Sequence, residues 1–431
     1  MNIVYINHYA GSDKHGMEYR PYFMAKRWVE AGHNVTIVAS SYSHLRTKNP
    51  DMRGQATMEE MHGGIRYFWI AGPSYQGNGL GRIKNMLSFL HGLKKYRKQI
   101  AAQGKPDAVI ASSTYPLDIY PARKIAKESG ALLIYEVHDL WPLSPIELGG
   151  MSPHHPYIVL MQMAENYCYK HSDYVVSLLP CAEGHMKEHG LANGKFVYIP
   201  NGIVKEDWEK APGNPPVYAD KLGQYHRDGW FLIGYTGAHG IANGLDSFVE
   251  AGKALQGKKI KLILVGQGPE RDRLIQKVKD LHLEENVELL PAVKRDAVPE
   301  LLAQFDALYV GLQRQPLFRF GVSPNKLMDY MMAGEPGIFS TAVRRLQRRP
   351  SSLRRRRRTS SRRWGRGAKR TFWNTTNTVF WQNNFWTSSL CQRGRSEFYP
   401  KQAGLSGFLP AVLSLQAFVQ GTIRRSRYNG S

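Results

Sequence analysis

One stretch of the sequence, GYTGAHGIANGLDSF, is rich in glycine and also contains a histidine and an asparagine. Because glycine lacks a Cβ atom, it lets backbone N–H groups approach a phosphate, and the N-terminus of a following helix attracts the same anion. The spacing differs from the G-x-G-x-x-G dinucleotide fingerprint. The stretch predicts a phosphate-binding loop, with a tight turn that binds nothing as the alternative. The candidate ligand-binding residues are Gly237, His239, Gly240 and Asn243.

A second stretch, FGVSPNKLMDYMMAGEP, places a lysine at the start of a predicted helix. Ser323 is a good capping residue and Pro324 needs no N–H in a first turn, so the helix should begin there. Lys326 in that turn opposes the helix dipole, which indicates that something else requires a cation at this place. Asn325 lies in the same turn, and Asp329 lies one turn later, where it could reach a ribose hydroxyl. A capped surface helix is the alternative.

The stretch EVHDLWP follows an apolar strand pattern, so His138 and Asp139 should lie at the carboxyl end of that strand. Open α/β sheets place their functional loops at this edge. The alternatives are a structural histidine, which is the commoner role of a single histidine, and an aspartate that only caps a turn. The phosphate loop of a second domain favours the functional interpretation, and we take both residues as candidate catalytic groups.

The segment 81–105, GRIKNMLSFLHGLKKYRKQIAAQGK, is basic and holds no acidic residue. Five apolar residues fall on one face of the predicted helix: Ile83, Met86, Leu87, Leu90 and Leu93. The pattern predicts either a helix packed on its own core with a solvated polar side or a surface that rests on anionic lipid.

The elements that carry these stretches alternate between strand and helix. Apolar runs such as NIVYI, NVTIVAS and ALLIYEV end in loops and are separated by helical patterns, and the alternation restarts at WFLIGYTG after a segment rich in Pro, Gly and charge. This predicts an α/β fold with two Rossmann-like doubly wound domains that face each other across a cleft. The predicted divisions are a first domain at 1–205, a linker at 206–229, a second domain at 230–340 and a tail at 341–431.

The charge of the chain is concentrated in the tail. The net charge is +23, but residues 341–431 hold 20 of the 58 Lys and Arg residues and one of the 35 acidic residues. The remaining residues therefore carry only +4, which argues against specific nucleic-acid binding by the body of the protein. Three cysteines without a CxxC pair argue against a disulfide framework or a structural zinc site, and no metal-binding cluster is evident. Without a signal-peptide pattern or a long apolar run, the body is predicted to be cytoplasmic.

Seven stretches together resemble the two-Rossmann (GT-B) nucleotide-sugar glycosyltransferases of family 4, and among them the bacterial transferases of surface-polysaccharide and glycan assembly. They are GMEYRPYFMAKRWVEAGHNVTIVASSYSHLR, GNGLGRIKNMLSFL, YEVHDLWPLSPIELGGMSPHHP, IPNGI, GYTGAHGIANGLDSF, LVGQGPERDRL and FGVSPNKLMDYMMAGEP. They cover residues 1–336 in order. The resemblance implies that the first domain binds the acceptor and the second the nucleotide-sugar donor.

The resemblance also implies roles for the candidate residues. The donor diphosphate would meet the glycine loop and the SPNK helix, the ribose would meet Asp329, and His138 would reach the donor sugar. Gly11 and Gly16 would approach the donor from the first domain. One departure concerns Gly321, because many members of the family carry a sugar-contacting glutamate at this place, eight residues before the ribose-binding residue.

The tail departs from the family altogether. Residues 344–386 contain a run of five arginines and four tryptophans but no acidic residue. One possible coding of TFWNTTNTVFWQNNF, moved back by one base, reads YVLEHHEYRVLAEQF, which resembles the acidic closing helix of such transferases. Our hypothesis is a frameshift near residues 337–345, with the residues beyond about 340 poorly packed. An intact reading frame in the gene, without homology in the alternative frame, would contradict it.

The predicted function is retaining transfer of a sugar from a nucleoside diphosphate to a glycan or a polyprenyl-diphosphate-linked acceptor, without a cofactor or metal. Positive groups and helix N-termini would stabilise the departing diphosphate. Predicted partners are the donor and the acceptor, with the inner face of the cell membrane as a further candidate. Three alternatives stay open: a sugar-nucleotide epimerase of the same fold, a nucleic-acid-binding protein that uses its tail, and an inactive remnant.

Overall fold

The strand and helix alternation folds into two compact units. The computed structural model describes residues 1–16, 19–77, 79–204, 206–209, 216–313 and 315–340. Unit 1 consists of Met1–Asn201 together with Gln315–Ser323, and unit 2 contains the described residues between 202 and 313 and residues 324–340. The chain therefore passes between the units more than once, which the sequence pattern did not indicate.

The strands are β1 (Asn2–Ile6), β2 (Asn34–Ser40), β3 (Thr57–His62), β4 (Ile65–Ile70), β5 (Ala108–Ala111), β6 (Leu132–Val137), β7 (Tyr174–Ser177), β8 (Phe196–Tyr198), β9 (Phe231–Thr236), β10 (Ile260–Val265), β11 (Val287–Leu290), β12 (Ala307–Gly311) and β13 (Gly337–Ser340). The helices are α1 (Tyr19–Glu30), α2 (Leu80–Lys95), α3 (Arg97–Ile100), α4 (Ile119–Ser129), α5 (Leu143–Glu147), α6 (Pro156–His171), α7 (Glu183–Glu188), α8 (Glu206–Glu209), α9 (Ala219–Arg227), α10 (Leu245–Ala251), α11 (Arg271–Asp280), α12 (Val298–Leu302) and α13 (Asn325–Ala333).

Unit 1 is built on an eight-stranded sheet in the order β3-β4-β2-β1-β5-β6-β7-β8. All neighbours pair in parallel except β3, which runs antiparallel to β4. The central strands are nearly continuous apolar runs because helices cover both faces of a parallel sheet. The β3–β4 hairpin was not predicted, and its edge strand, TMEEMH, has neither an apolar run nor a regular alternation of polar and apolar residues.

Unit 2 carries a five-stranded parallel sheet in the order β11-β10-β9-β12-β13. Phe248 of α10 stacks on Tyr309 of β12 with ring centroids 4.0 Å apart, which fastens the helix after the glycine stretch to the sheet. The segment predicted as a linker contains α8 and α9, and Leu222 of α9 is fully buried in the core of this unit. Both parallel sheets confirm the predicted α/β class.

Helix α2 lies in the basic segment, and its buried face differs from the apolar face that the sequence predicted. The helix buries Met86, Phe89 and Leu93, whereas Ile83 and Leu87 are exposed. The apolar residues of this helix extend around more of its circumference than one packing face can cover, and the sheet takes the side centred on Phe89. The helix also ends at Lys95 instead of continuing to residue 105.

In the part of the chain that the structure describes, no helix is long and apolar enough to cross a membrane. The basic tail from residue 341 onward, and with it the frameshift hypothesis, lies outside the described residues.

Candidate functional site

The glycine stretch forms a loop at the carboxyl end of β9 in unit 2. Gly237 has φ +137° and its N–H donates to the Val265 carbonyl of β10. A Cβ atom at Gly266 would lie 1.9 Å from the Gly237 oxygen, and one at Gly268 would lie 2.5 Å from the His239 oxygen. The loops after β9 and β10 therefore touch backbone to backbone, which only glycine permits. The loop continues through Gly240 into a 3-10 helix at Ile241–Asn243, and α10 follows Gly244.

Lys326 reaches this loop from the first turn of α13. Its Nζ donates to the Tyr235 hydroxyl at 2.8 Å and to Asn243 Oδ1 at 2.5 Å, and it lies 4.4 Å from the centroid of the Tyr235 ring. No carboxylate forms an ion pair with it within the described ranges. Burial lowers the pKa of Lys326 to about 8. A half-buried cation held only by neutral groups is an electrostatic cost in the ligand-free protein, and an anion beside it would remove that cost.

His239 lies fully buried inside the same loop. Neither Nδ1 nor Nε2 has a hydrogen-bond partner among the described residues. Burial, with the charges of Arg271 and Lys326, lowers the pKa of His239 to about 4, so the imidazole is neutral at pH 7. A buried polar atom without a partner is costly. The glycine loop thus contains the neutral imidazole of His239, whose two nitrogens have no hydrogen-bond partner among the described residues. It lies near Lys326, a cation without a carboxylate partner in the same residues.

Ser323 does not cap the helix as predicted. Helix α13 begins at Asn325, and its cap residue is Pro324 with no side-chain cap. The Ser323 hydroxyl oxygen instead accepts the N–H of Asn201 at 3.0 Å, and the Asn201 side chain donates to the Ser323 carbonyl at 2.9 Å. The hydroxyl is therefore used to join two distant segments of unit 1. Asn325 is exposed at the start of the helix.

Asp329 lies one turn after Lys326 and is paired with an arginine that the sequence analysis missed. Arg295 Nη1 donates to Asp329 Oδ2 and Arg295 Nη2 to Asp329 Oδ1, both at 2.6 Å. The aspartate side chain is 7% exposed and the arginine side chain 51% exposed. Burial raises the pKa of Asp329, and the hydrogen bonds and charge of Arg295 oppose that rise.

In unit 1, His138 follows β6 and is held by a buried network that also went unpredicted. Ser112 donates its hydroxyl to Glu136 Oε2 at 2.7 Å, and His138 Nε2 lies 2.8 Å from Ser112 Oγ and 3.2 Å from the same carboxylate oxygen. The serine proton is thus already used, and the carboxylate can only accept. His138 Nε2 therefore carries the proton.

Glu136 is the centre of this network. It accepts the Tyr5 hydroxyl at 2.5 Å on Oε2 and Arg20 Nε and Nη2 at 3.1 and 2.9 Å on Oε1. Burial alone would raise the pKa of Glu136, but the charge of Arg20 and the bonds from His138 and Tyr5 hold it well below its usual value. An acidic residue next to the end of an otherwise apolar strand, LLIYEV, was the signal in the sequence.

Arg20 extends the hydrogen-bond network of Glu136 to another segment of unit 1. Its guanidinium also donates to the carbonyl oxygens of Ile199 and Pro200, at 3.0 and 2.8 Å. Asn201, the next residue, is the one bound to Ser323. Buried Glu136 is therefore connected through one arginine to the segment where the chain leaves unit 1.

The other candidates of unit 1 differ in their surroundings. Asp139 is exposed. Gly11 is buried, and its carbonyl accepts the Tyr67 hydroxyl at 2.8 Å. Gly16 has φ +67°, and a Cβ atom there would lie 2.4 Å from Thr47 Oγ1. Glycine is therefore required at position 16 by its backbone conformation and by the close approach of Thr47.

Gly321 explains why a family glutamate is missing. Its φ is +94°, and a Cβ atom would lie 2.5 Å from Cδ of Pro180. A glutamate at this position would be strained in its backbone and would collide with the proline ring. The sugar-contacting glutamate that the resemblance implies therefore has no counterpart at this position.

Comparisons with known proteins agree with this architecture. Residues 15–202 match the model of the glycosyl transferase 4-like domain, and residues 231–348 match that of the glycosyl transferases group 1. A search of curated protein sequences finds no significant match.

Solved structures with the same fold include HepE from Anabaena in complex with UDP and glucose, at 14% identity and a TM-score of 0.57 over 86% of this chain and 94% of HepE. WaaG, a glycosyltransferase of lipopolysaccharide biosynthesis, aligns at 15% identity and a TM-score of 0.59 over 86% of this chain and 95% of WaaG. Sucrose-phosphate synthase from Thermosynechococcus elongatus aligns at 15% identity and a TM-score of 0.58 over 86% of this chain and 93% of the synthase. With its two Rossmann-like units and both domain models matched in order, the chain belongs to the two-domain GT-B glycosyltransferases.

Proposed function

We propose that this glycosyltransferase takes a sugar from a nucleoside diphosphate and transfers it, with retention of the anomeric configuration, to a glycan or polyprenyl-diphosphate-linked acceptor in bacterial surface-polysaccharide or protein-glycan assembly. The observation that carries the donor assignment is Lys326, a half-buried cation without a carboxylate partner in the described residues, set against a glycine loop. HepE, which has the same fold, was solved with UDP and with UDP-glucose. Nucleoside diphosphates are therefore the ligands to test first.

In the proposed reaction, the site must stabilise the leaving diphosphate. As the glycosidic bond to the diphosphate breaks, negative charge grows on the phosphate oxygens, and preorganised donors lower the barrier when they are aimed at that charge. Lys326 and the backbone N–H groups of the loop at Gly237–Gly240 are donors of this kind. In this proposal the charge of Lys326 and the N–H dipoles of the loop take the place that a metal cation would have at this step.

The family resemblance assigns His138 a contact with the donor sugar. The network around Glu136 supports a functional role, since it fixes the proton on Nε2 and the orientation of the ring.

Calorimetric titration of the full chain with UDP, GDP and their glucose and mannose conjugates tests the donor assignment. We expect the diphosphate to bind at least tenfold more tightly than the corresponding monophosphate, because the second phosphate adds charge-assisted contacts that are each worth about 1.5–3 kcal/mol. With an active preparation, the anomeric form of the first product, followed by NMR, tests retention. Equal affinity for mono- and diphosphates would contradict the proposed phosphate site.

We also propose that unit 1 rests on the inner face of the cell membrane through one side of its helix layer. Exposed apolar residues lie on α2 (Leu80, 84% exposed, and Leu87) and on α6 (Leu160 and Met163, 62% exposed). Buried residues of both helices, Met86 and Met161, belong to one core cluster, and both helices contact α4. The exposed charged residues on this pair, including Lys84, Lys94, Lys95 and Lys170, are basic.

Replacing Leu80 and Leu87 together by Ser should weaken sedimentation with vesicles that contain phosphatidylglycerol by tenfold or more. A buried leucine side chain contributes about 1.5–3 kcal/mol, and tenfold corresponds to about 1.4 kcal/mol. The basic tail is identical in both proteins, so its attraction to anionic lipid cancels in the comparison. Met61→Ser, on the edge strand β3, is the matched control. Equal binding by the Leu80/Leu87 variant would show that this face does not touch lipid.

A further inference from the structure

The Arg295–Asp329 pair has a geometry that a simple surface ion pair does not require. Both terminal nitrogens of Arg295 engage both oxygens of the carboxylate at 2.6 Å. The aspartate is almost fully buried while half of the arginine side chain is exposed. The arginine comes from the 3-10 helix at Arg295–Ala297, so the buried carboxylate is joined to an element that is distant from it in the sequence.

The carboxylate retains capacity for a ligand. An ionised carboxylate has about four lone-pair positions, and a bidentate guanidinium occupies one on each oxygen. One position on each oxygen is left, which matches two vicinal hydroxyl groups. The described residues provide no second hydrogen bond to these oxygens.

The position of Asp329 along α13 suits a nucleotide. Residues three apart on a helix are neighbours, with Cβ atoms about 5–6 Å apart. Lys326 and Asp329 therefore present a cation and a carboxylate side by side at the N-terminal end of one helix, as a phosphate and an adjoining ribose would require.

We propose that Arg295 is a positioning residue for the donor nucleotide: it orients the Asp329 carboxylate so that the two free lone pairs receive the 2′- and 3′-hydroxyls of the ribose. The inference rests on the proposed function, since it assumes a nucleoside diphosphate on Lys326.

Arg295 has a second effect through charge. Burial favours the neutral form of Asp329, and the guanidinium opposes this. Without the arginine, the carboxyl group should take up a proton at a pH closer to neutral. A protonated carboxyl group donates to one hydroxyl instead of accepting from two, so recognition of the ribose would become dependent on pH.

The test is titration of the full chain with UDP and with 2′-deoxy-UDP, and with GDP and 2′-deoxy-GDP, between pH 5 and pH 8. The variants are Arg295→Met and Arg295→Lys. The control is Arg273→Met, because Arg273 makes the same bidentate contact with Asp246, at 2.8 and 2.6 Å, and is 50% exposed. Since Asp246 is a surface carboxylate, its loss of a partner should leave nucleotide binding unchanged.

We expect the unaltered chain and the control to prefer the ribonucleotide by tenfold or more at every pH. Arg295→Met should reduce this preference to about threefold or less, and its affinity for the ribonucleotide should fall as the pH is lowered from 8 to 5. Arg295→Lys should restore the flat pH profile through its charge but not the full preference, because an ammonium group cannot make the bidentate contact.

Two results would overturn the inference while the proposed function stands: an Arg295→Met protein with the preference and pH profile of the unaltered chain, or one that binds the ribonucleotide more tightly, which would mean that the arginine blocks the ribose position. Failure of the unaltered chain to bind any of the four nucleotides would remove both the proposed function and this inference.

Discussion

Replacing Lys326 by Met should make the ligand-free protein more stable and, at the same time, remove most of its affinity for a nucleoside diphosphate. Methionine keeps the length of the side chain but not its charge. The depressed pKa of Lys326, about 8, means that folding disfavours the charged lysine at neutral pH. Removal of that cost should stabilise unit 2 by about 1–3 kcal/mol.

The same substitution should stabilise the ligand-free protein but weaken its binding of the nucleotide. One charge-assisted contact to phosphate contributes about 1.5–3 kcal/mol, so the dissociation constant for UDP should rise roughly 10- to 100-fold. Scanning calorimetry with and without UDP measures both effects, and Lys279→Met, an exposed lysine on α11, is the control. A variant that is destabilised, or that keeps the affinity of the parent, would show that Lys326 has a structural role only.

The same lysine predicts a pH dependence of donor binding. The cation is present below pH 8 and is lost as the pH rises through about 8 in the ligand-free protein. Affinity for the diphosphate should therefore be constant between pH 6.5 and 7.5 and fall by up to tenfold per pH unit above 8. In Lys326→Met this decline should be absent.

Replacing Glu136 by Leu should be the most destabilising single change in unit 1. It would leave the guanidinium of Arg20, whose side chain is 10% exposed, without its carboxylate, and the Tyr5 hydroxyl without its acceptor. Breaking a buried ion pair on one side costs about 3–5 kcal/mol. Urea unfolding, followed by amide hydrogen exchange in β1 and β6, measures the loss.

Two comparisons separate this effect from a general sensitivity to mutation. Glu128→Leu removes the partner of Arg97, an exposed pair whose loss should cost at most about 1 kcal/mol. Adding Arg20→Met to Glu136→Leu should recover part of the stability, because the uncompensated charge is then gone. If Glu136→Leu and Glu128→Leu cost the same, the network does not hold unit 1 together.

A milder change, Glu136→Gln, addresses His138. The glutamine keeps the shape but not the charge, so the pKa of His138, measured by NMR, should fall relative to the parent. Because folding lowers the pKa of Glu136, its ionised carboxylate stabilises the folded protein. This stabilisation is present in full above pH 4.5 and is lost as the pH falls below that value. An unchanged titration of His138 would show that Glu136 does not act on the imidazole.

Most of the fold could be predicted because its signals are local. The apolar runs that form β1, β2, β6, β9 and β10 are bounded by loops within a few residues, and parallel sheets need such runs because both of their faces are covered. The hairpin β3–β4 was missed although β4, IRYFWI, is itself a buried run, whereas the edge strand β3, TMEEMH, has no such run. The helices α4, α6 and α13 begin within one or two residues of the predicted positions.

By itself, the sequence determined the two-unit α/β architecture, the glycine loop and the lysine at the start of a helix, because each depends on residue types within one turn or one strand. Only the tertiary structure decided which side chains meet: Glu136 with Tyr5 and Arg20, Asp329 with Arg295, and Ser323 with Asn201. These partners lie 34 to 131 residues apart. Their meeting depends on the order of strands in the sheet and on the paths of loops, which a local pattern does not encode. The same holds for Gly321, whose need for glycine arises from the ring of Pro180 against it.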